Sequence, residues 1–136
     1  MIRDYDIETN KNKIDELLLQ ELEEKTGRKT RGASTISLAF EEDGEYEGGI
    51  LGDILFESCY VDMLAVKKTC RGKGIGKKLL HQLECELREK NIHTVFLNTQ
   101  DYQAKDFYLK MGYELVGEIE NIPFNGTTRY YFRKQI

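Results

Sequence analysis

Residues 71–76, RGKGIG, place three glycines and two cations in six positions, directly after an apolar run and directly before a helix-like pattern. Glycines permit backbone conformations and close approaches that a side chain forbids. A helix starting at such a turn also leaves its first N–H groups free to meet an anion. Between Asp62 and Glu84 no acidic residue occurs, while Lys67, Lys68, Arg71, Lys73, Lys77 and Lys78 crowd around the glycines, on a chain whose net charge is −4. Positive charge at a helix N-terminus opposes the macrodipole, so an anion is expected there. A short, concentrated pole suits a small polyanion such as a nucleotide or a phosphorylated cofactor; nucleic acid, which needs a broader basic face, is not an expected partner. No GxxxxGK[ST] occurs, and Gly72, Gly74 and Gly76 form GxGxG rather than GxGxxG, so neither a P-loop nor a dinucleotide fingerprint is present.

Asp62 is an acid inside the apolar run YVDMLAV, residues 60–66. A carboxylate there is costly unless it is paired or reaches a cleft, which makes Asp62 either a strand residue in a salt bridge or a base at a cleft. Tyr60, Glu57 and a water relay are alternatives for that base. Cys59, Cys70 and Cys85 are odd in number and widely spaced, with only His81 and His93 to assist. Reduced thiols are expected, with no disulfide framework and no metal site.

The elements that must position these groups follow from periodicity. At 136 residues the chain reads as one domain, 1–136, with no stretch long enough to span a membrane and no signal-like N-terminus, so a cytoplasmic protein is expected. Ile14, Leu17, Leu18 and Leu22 predict an amphipathic helix over 11–25, ended by Gly27. Strands are predicted over 33–40 and 46–55, joined as a hairpin at EEDGE. YVDMLAV reads as a central strand buried on both faces. Ile75, Leu79, Leu80, Leu83 and Leu87 mark one face of a helix ending near Lys90; HTVFLN is a strand; a helix over 102–111 stops at Gly112. Strands near 113–119 and 128–132 close the chain. The expected order is strand, helix, two strands, central strand, helix, strand, helix, two strands. Hairpins combined with one strand-helix-strand crossover predict a mixed α/β sheet rather than a doubly wound one.

YVDMLAVKKTCRGKGIGKKLL resembles the acetyl-coenzyme A signature of the GNAT family of N-acetyltransferases, [QR]-x-x-G-x-[GA] after a strand, with Arg71, Gly74 and Gly76 in the pattern. QAKDFYLKMGYE resembles the same family's later motif, with Ala104, Tyr108, Gly112 and Tyr113 in place; the position that is often Asn is Asp101 here. The resemblance implies a mostly antiparallel sheet with flanking helices and a splayed central strand pair. It implies that acetyl-coenzyme A is held by main-chain groups of Arg71, Gly72, Lys73, Gly74, Ile75, Gly76 and Lys77 at the pyrophosphate. Leu64, Ala65 and Val66 would lie along the pantetheine arm, with Asp101, Ala104 and Tyr108 beside it. Acetyl transfer to an amine, mostly protonated at pH 7 with a pKa of about 10, needs a neutral nucleophile, a donor for the carbonyl oxygen and a proton for the leaving thiolate. The resemblance assigns the donor near Val66 and the acid to Tyr108; for the base or amine-orienting group the candidate is Asp62, by its place in the apolar strand, with Tyr60, Glu57 and a water relay as the alternatives. It puts the acceptor among residues 26–34, 57–62 and 121–131; Tyr102, Tyr130 and Tyr131 could line a pocket for it, or the terminal-strand aromatics could fill the sheet face. A small-molecule primary amine is the expected acceptor, with a protein or peptide amine, or a non-catalytic coenzyme A sensor, as alternatives. The expected assembly is a monomer or homodimer.

Overall fold

A computed structural model describes all of residues 1–136. The chain divides into two compact units, 1–32 and 33–136. The first holds helix α1, Ile7–Thr26. It starts four residues before the apolar pattern because Asp6 caps it, its carboxylate accepting from the Thr9 amide at 2.9 Å and hydroxyl at 2.7 Å. Gly27, in the left-handed region at φ 75°, ends it as predicted. None of its residues is buried. Residues 1–6 form no strand, so the strand expected ahead of this helix is absent: the apolar residues there are too few to build one.

The second unit holds β1 (Ser34–Glu42), β2 (Glu45–Leu55), β3 (Ser58–Val66), α2 (Ile75–Glu89), β4 (Thr94–Gln100), α3 (Lys105–Lys110), β5 (Glu114–Glu120) and β6 (Thr128–Gln135). The strands form one sheet in the order β1-β2-β3-β4-β6-β5. Every neighbouring pair is antiparallel except β3–β4. That parallel pair needs the crossover through α2, as the mixed-sheet expectation required. No helix of the chain is long and apolar enough to cross a membrane.

α2 packs Ile75, Leu79, Leu80, Leu83 and Leu87 onto Ile50, Ile54, Cys59, Val61, Val95 and Leu97 of the sheet. Each such side chain contributes roughly 1.5–3 kcal/mol when fully buried. The helix comes close because Gly52 offers no side chain: a Cβ there would lie 2.9 Å from Leu83 Cδ1 and 3.0 Å from Cys59 Sγ. Gly52→Val is therefore expected to overpack the α2–β2 contact and destabilise the fold by about 1–3 kcal/mol in urea unfolding. The same packing buries the Cys59 thiol and pushes its pKa to about 11, so it stays a protonated core residue.

The central strand departs from the expected double-sided burial. Cys59 and Val61 are buried, but Asp62, Met63 and Ala65 are exposed. The cause lies in the pairing. β3 and β4 are joined only through Ser58–Tyr60 and Thr94–Phe96; beyond that rung β4 continues against β6 alone. The two strands thus part at Tyr60 and Phe96, giving the splayed pair.

Candidate active site

Asp62 sits where the strands part. β3 and β2 slip register there: Met63 faces Leu51 and Val61 faces Gly52, so Asp62 is the additional residue of a β-bulge. Its carboxylate is exposed and makes no ion pair, which answers how an acid is tolerated in an apolar run.

Past the bulge, antiparallel alternation decides which main-chain groups are free. The Lys67 amide donates to the Glu47 carbonyl at 2.7 Å, so residues 65 and 63 also direct their main-chain groups at β2. Leu64 and Val66 direct theirs the other way, into the opening. The Val66 carbonyl accepts a long bond, 3.4 Å, from Arg71 Nε, which ties the glycine turn to the end of β3. Of the three residues expected along the opening, Leu64 and Val66 offer main-chain hydrogen bonds to it; Ala65 uses its own on Gly49.

The turn itself has the anion-ready form. Gly72 and Gly74 take φ of 81° and 78°, the left-handed region that L side chains rarely adopt. Gly74 caps α2 without any side-chain bond. The first helical bond runs from the Lys78 amide to the Gly74 carbonyl at 3.0 Å, so the N–H groups of Ile75, Gly76 and Lys77 have no intrahelical acceptor. The first turn of α2 contains no acidic residue. A row of open amides ringed by lysines, at the wide end of a parted strand pair with unused main-chain groups, fits an extended ligand with a diphosphate at one end.

α3 lies beside this turn: a Cβ on Gly76 would stand 3.5 Å from the Phe107 ring. The helix is fixed at its start by the Ala104 amide donating to Thr99 Oγ1 at 3.3 Å, and the Gln100 amide donating to Gln103 Oε1 at 3.1 Å. Asp101 is tied to Thr128 at the start of β6. Its Oδ2 accepts from the Thr128 amide at 3.0 Å and its own amide donates to the Thr128 carbonyl at 3.0 Å, so it clamps β4 to β6. Tyr108 is 6% exposed, its ring against Phe107, Tyr113 and Phe132. Burial pushes its phenol up to about 12. The hydroxyl has no hydrogen-bond partner in the protein and is not sealed from solvent.

A groove of about 580 Å³ lies beside the point of parting, lined by residues of β1, β2, β3 and β4. It includes Ala33, Ser34, Ser58 and Tyr60 from the segments expected to hold an acceptor. It also includes Asp53 and Phe96, which sequence reasoning passed over. The signal for Asp53 was an acid between Gly52 and Ile54 in an alternating strand; for Phe96 there was none without register. Tyr102, by contrast, stacks on Phe124 at 6.2 Å, and neither ring lines this groove.

A mixed sheet that opens between its only parallel strands, next to a helix N-terminus without a side-chain cap, has room for an extended phosphorylated ligand within the sheet. A family model described as Acetyltransferase (GNAT) domain matches residues 5–128, and the chain belongs to that family of acetyltransferases. It is 33% identical over 96 residues, 70% of each protein, to a blasticidin-S acetyltransferase of Streptomyces morookaense. Its fold superposes with TM-score 0.90 and 26% identity on a crystal structure of an acetyltransferase from Bacillus cereus, covering 100% of this chain and 97% of that one. A putative streptothricin acetyltransferase from Bacillus anthracis, crystallised in complex with acetyl coenzyme A, has TM-score 0.68 and 22% identity over 75% of this chain and 62% of that one.

Proposed function

We propose that the chain acts as one domain, an acetyl-coenzyme A-dependent N-acetyltransferase that moves an acetyl group directly to a primary amine of a small molecule. The observation that carries this reading is the parted β3–β4 pair leading to the uncapped turn at Gly74, with the main-chain groups of Leu64 and Val66 turned into the opening. The acetyl-coenzyme A bound by a neighbour of the same fold and the antibiotic named for a relative support it.

The amides of Gly72 to Lys77, with Arg71, Lys73 and Lys77 nearby, would hold the diphosphate; Leu64 and Val66 would hold the arm by strand-like bonds. When bound, the co-substrate supplies an electrophilic acetyl carbon and a thiolate leaving group. One N–H of this strand edge, near Val66, provides the donor where negative charge develops on the carbonyl oxygen. Asp62, exposed at the bulge, takes the proton of the incoming ammonium directly or through water, which leaves the amine lone pair free. Tyr108 stays protonated at neutral pH, delivers its proton to the departing sulfur, and regains one through water from the attacking nitrogen, which sheds its second proton as the amide forms.

The test is thiol release from acetyl-coenzyme A across small amines, diamines, aminoglycosides and lysine peptides. Saturable release with one or more small amines is the expected result. Release with peptides alone would move the acceptor to protein, and saturable binding with no release for any member would make the domain a sensor.

A further inference from the structure

Register places one side chain from each strand in a single row across the sheet. Thr35 pairs with Asp53, Asp53 with Tyr60, Tyr60 with Phe96, Phe96 with Arg133, and Arg133 with Glu114. Directly paired residues share a face, so the row presents a hydroxyl, a carboxylate, a phenol, a phenyl ring, a guanidinium and a second carboxylate side by side. The two acids differ in what they meet. Glu114 has Arg133 at 3.6 Å. Asp53 has only the Thr35 hydroxyl, at 2.9 Å, and no cation. Tyr60 and Phe96 stand next to it with ring centroids 5.1 Å apart, and Tyr60 Oη accepts from Asn98 Nδ2 at 2.7 Å, which fixes the phenol ring. These are the walls of the 580 Å³ groove, which ends at the rung where β3 and β4 part.

We infer that this groove selects acceptors carrying a second basic group: the Asp53 carboxylate and the faces of Tyr60 and Phe96 bind one ammonium while the other amine reaches the parting point and is acetylated. The inference rests on the reading above and adds a substrate class to it. An unneutralised carboxylate beside two aromatic rings is the chemistry that recognises a cation: Coulombic attraction on one side, ring quadrupoles on the other. A neutral or anionic group would leave Asp53 unmatched. Because the second charge stays ionised during transfer, the site discriminates by binding rather than by chemistry, and its signature belongs in KM.

The experiment compares an alkyl monoamine with the α,ω-diamine of equal chain length, on the wild-type protein and on Asp53→Asn. Asparagine keeps the shape and the acceptor for Thr35 while removing the charge. The wild type is expected to favour the diamine in kcat/KM by about five- to tenfold, mostly through KM, and Asp53→Asn to reduce that ratio to near one. Calorimetric titration with the diamine, run without acetyl-coenzyme A, gives a readout independent of turnover: Asp53→Asn should weaken binding by a similar factor. A selectivity ratio that survives Asp53→Asn overturns the inference while leaving the acetyltransferase reading in place. If no amine supports thiol release, that reading fails, and calorimetry still decides whether Asp53 binds the diamine: equal affinity for wild type and variant overturns the inference there too.

Discussion

Tyr108→Phe is expected to lower kcat by about a hundredfold or more, the range removed with a general acid, with little change in affinity for acetyl-coenzyme A. The substitution deletes one oxygen from a ring that Phe107, Tyr113 and Phe132 hold in place, so a phenylalanine fills the same space. What is lost is a proton that burial keeps on the phenol, since its pKa is pushed up to about 12. This fixes the shape of the pH profile. Rate should rise with pH as the amine deprotonates, and Tyr108 should contribute no alkaline fall until pH approaches 12. The same shift acts on stability. Burial favours the neutral phenol in the folded chain, so its contribution is complete below pH 10, the unfolded value, and is lost as pH climbs from 10 through 12. A kcat unchanged by Tyr108→Phe would remove this residue from the mechanism.

The second large effect lies beneath the site. Glu84, on the core face of α2, is 2% exposed. Its carboxylate receives Lys134 Nζ at 2.8 and 3.2 Å and the Tyr113 hydroxyl at 3.0 Å, and Lys134 also donates to the Met111 carbonyl at 2.9 Å. Burial, with the adjacent Glu84 carboxylate, raises the Tyr113 phenol far above its ordinary value, so it remains a donor. Lys134→Met would leave the carboxylate buried without its close cation, the situation that costs about 3–5 kcal/mol. Arg88, 4.0 Å from Glu84 and half-exposed, is too distant to replace it well. The double variant Glu84→Leu/Lys134→Met removes both charges together and should recover most of the loss, because burying two charges is itself expensive. Urea unfolding of the three proteins reads this directly: a loss below about 1 kcal/mol in Lys134→Met would show that the pair contributes little. Since Tyr113 packs edge-on against Tyr108 at 5.8 Å, the single variant should also loosen the ring that carries the acid.

The local half of this architecture was legible in the chain. Periodicity in α2 named its four core leucines and one isoleucine correctly, and the glycine turn stood out because glycine spacing has local consequences that need no partner: Gly72 and Gly74 both take positive φ. Register was not legible. That Asp62 is a bulge residue depends on Leu51 and Gly52 of another strand, and without it YVDMLAV reads as buried on both faces. Glu84 passed unnoticed among leucines because its partner Lys134 lies fifty residues away. The row from Thr35 to Phe96 exists only once four strands are aligned, although each of its residues sits in a segment already legible as strand. Asp101, placed by motif, also makes a contact that only register supplies, its bond to the backbone of Thr128.

The central claim is direct transfer from the thioester to an amine held at the parted strands. Rapid mixing of the protein with acetyl-coenzyme A, with and without an amine that supports turnover, tests it most directly, following free thiol and acetylated product together. The account predicts no thiol burst and no acetylated protein in the absence of amine, and thiol and N-acetyl product in equal amounts once it is added. A burst of thiol matched by acetylated enzyme, or thiol release that ignores the amine, would contradict it.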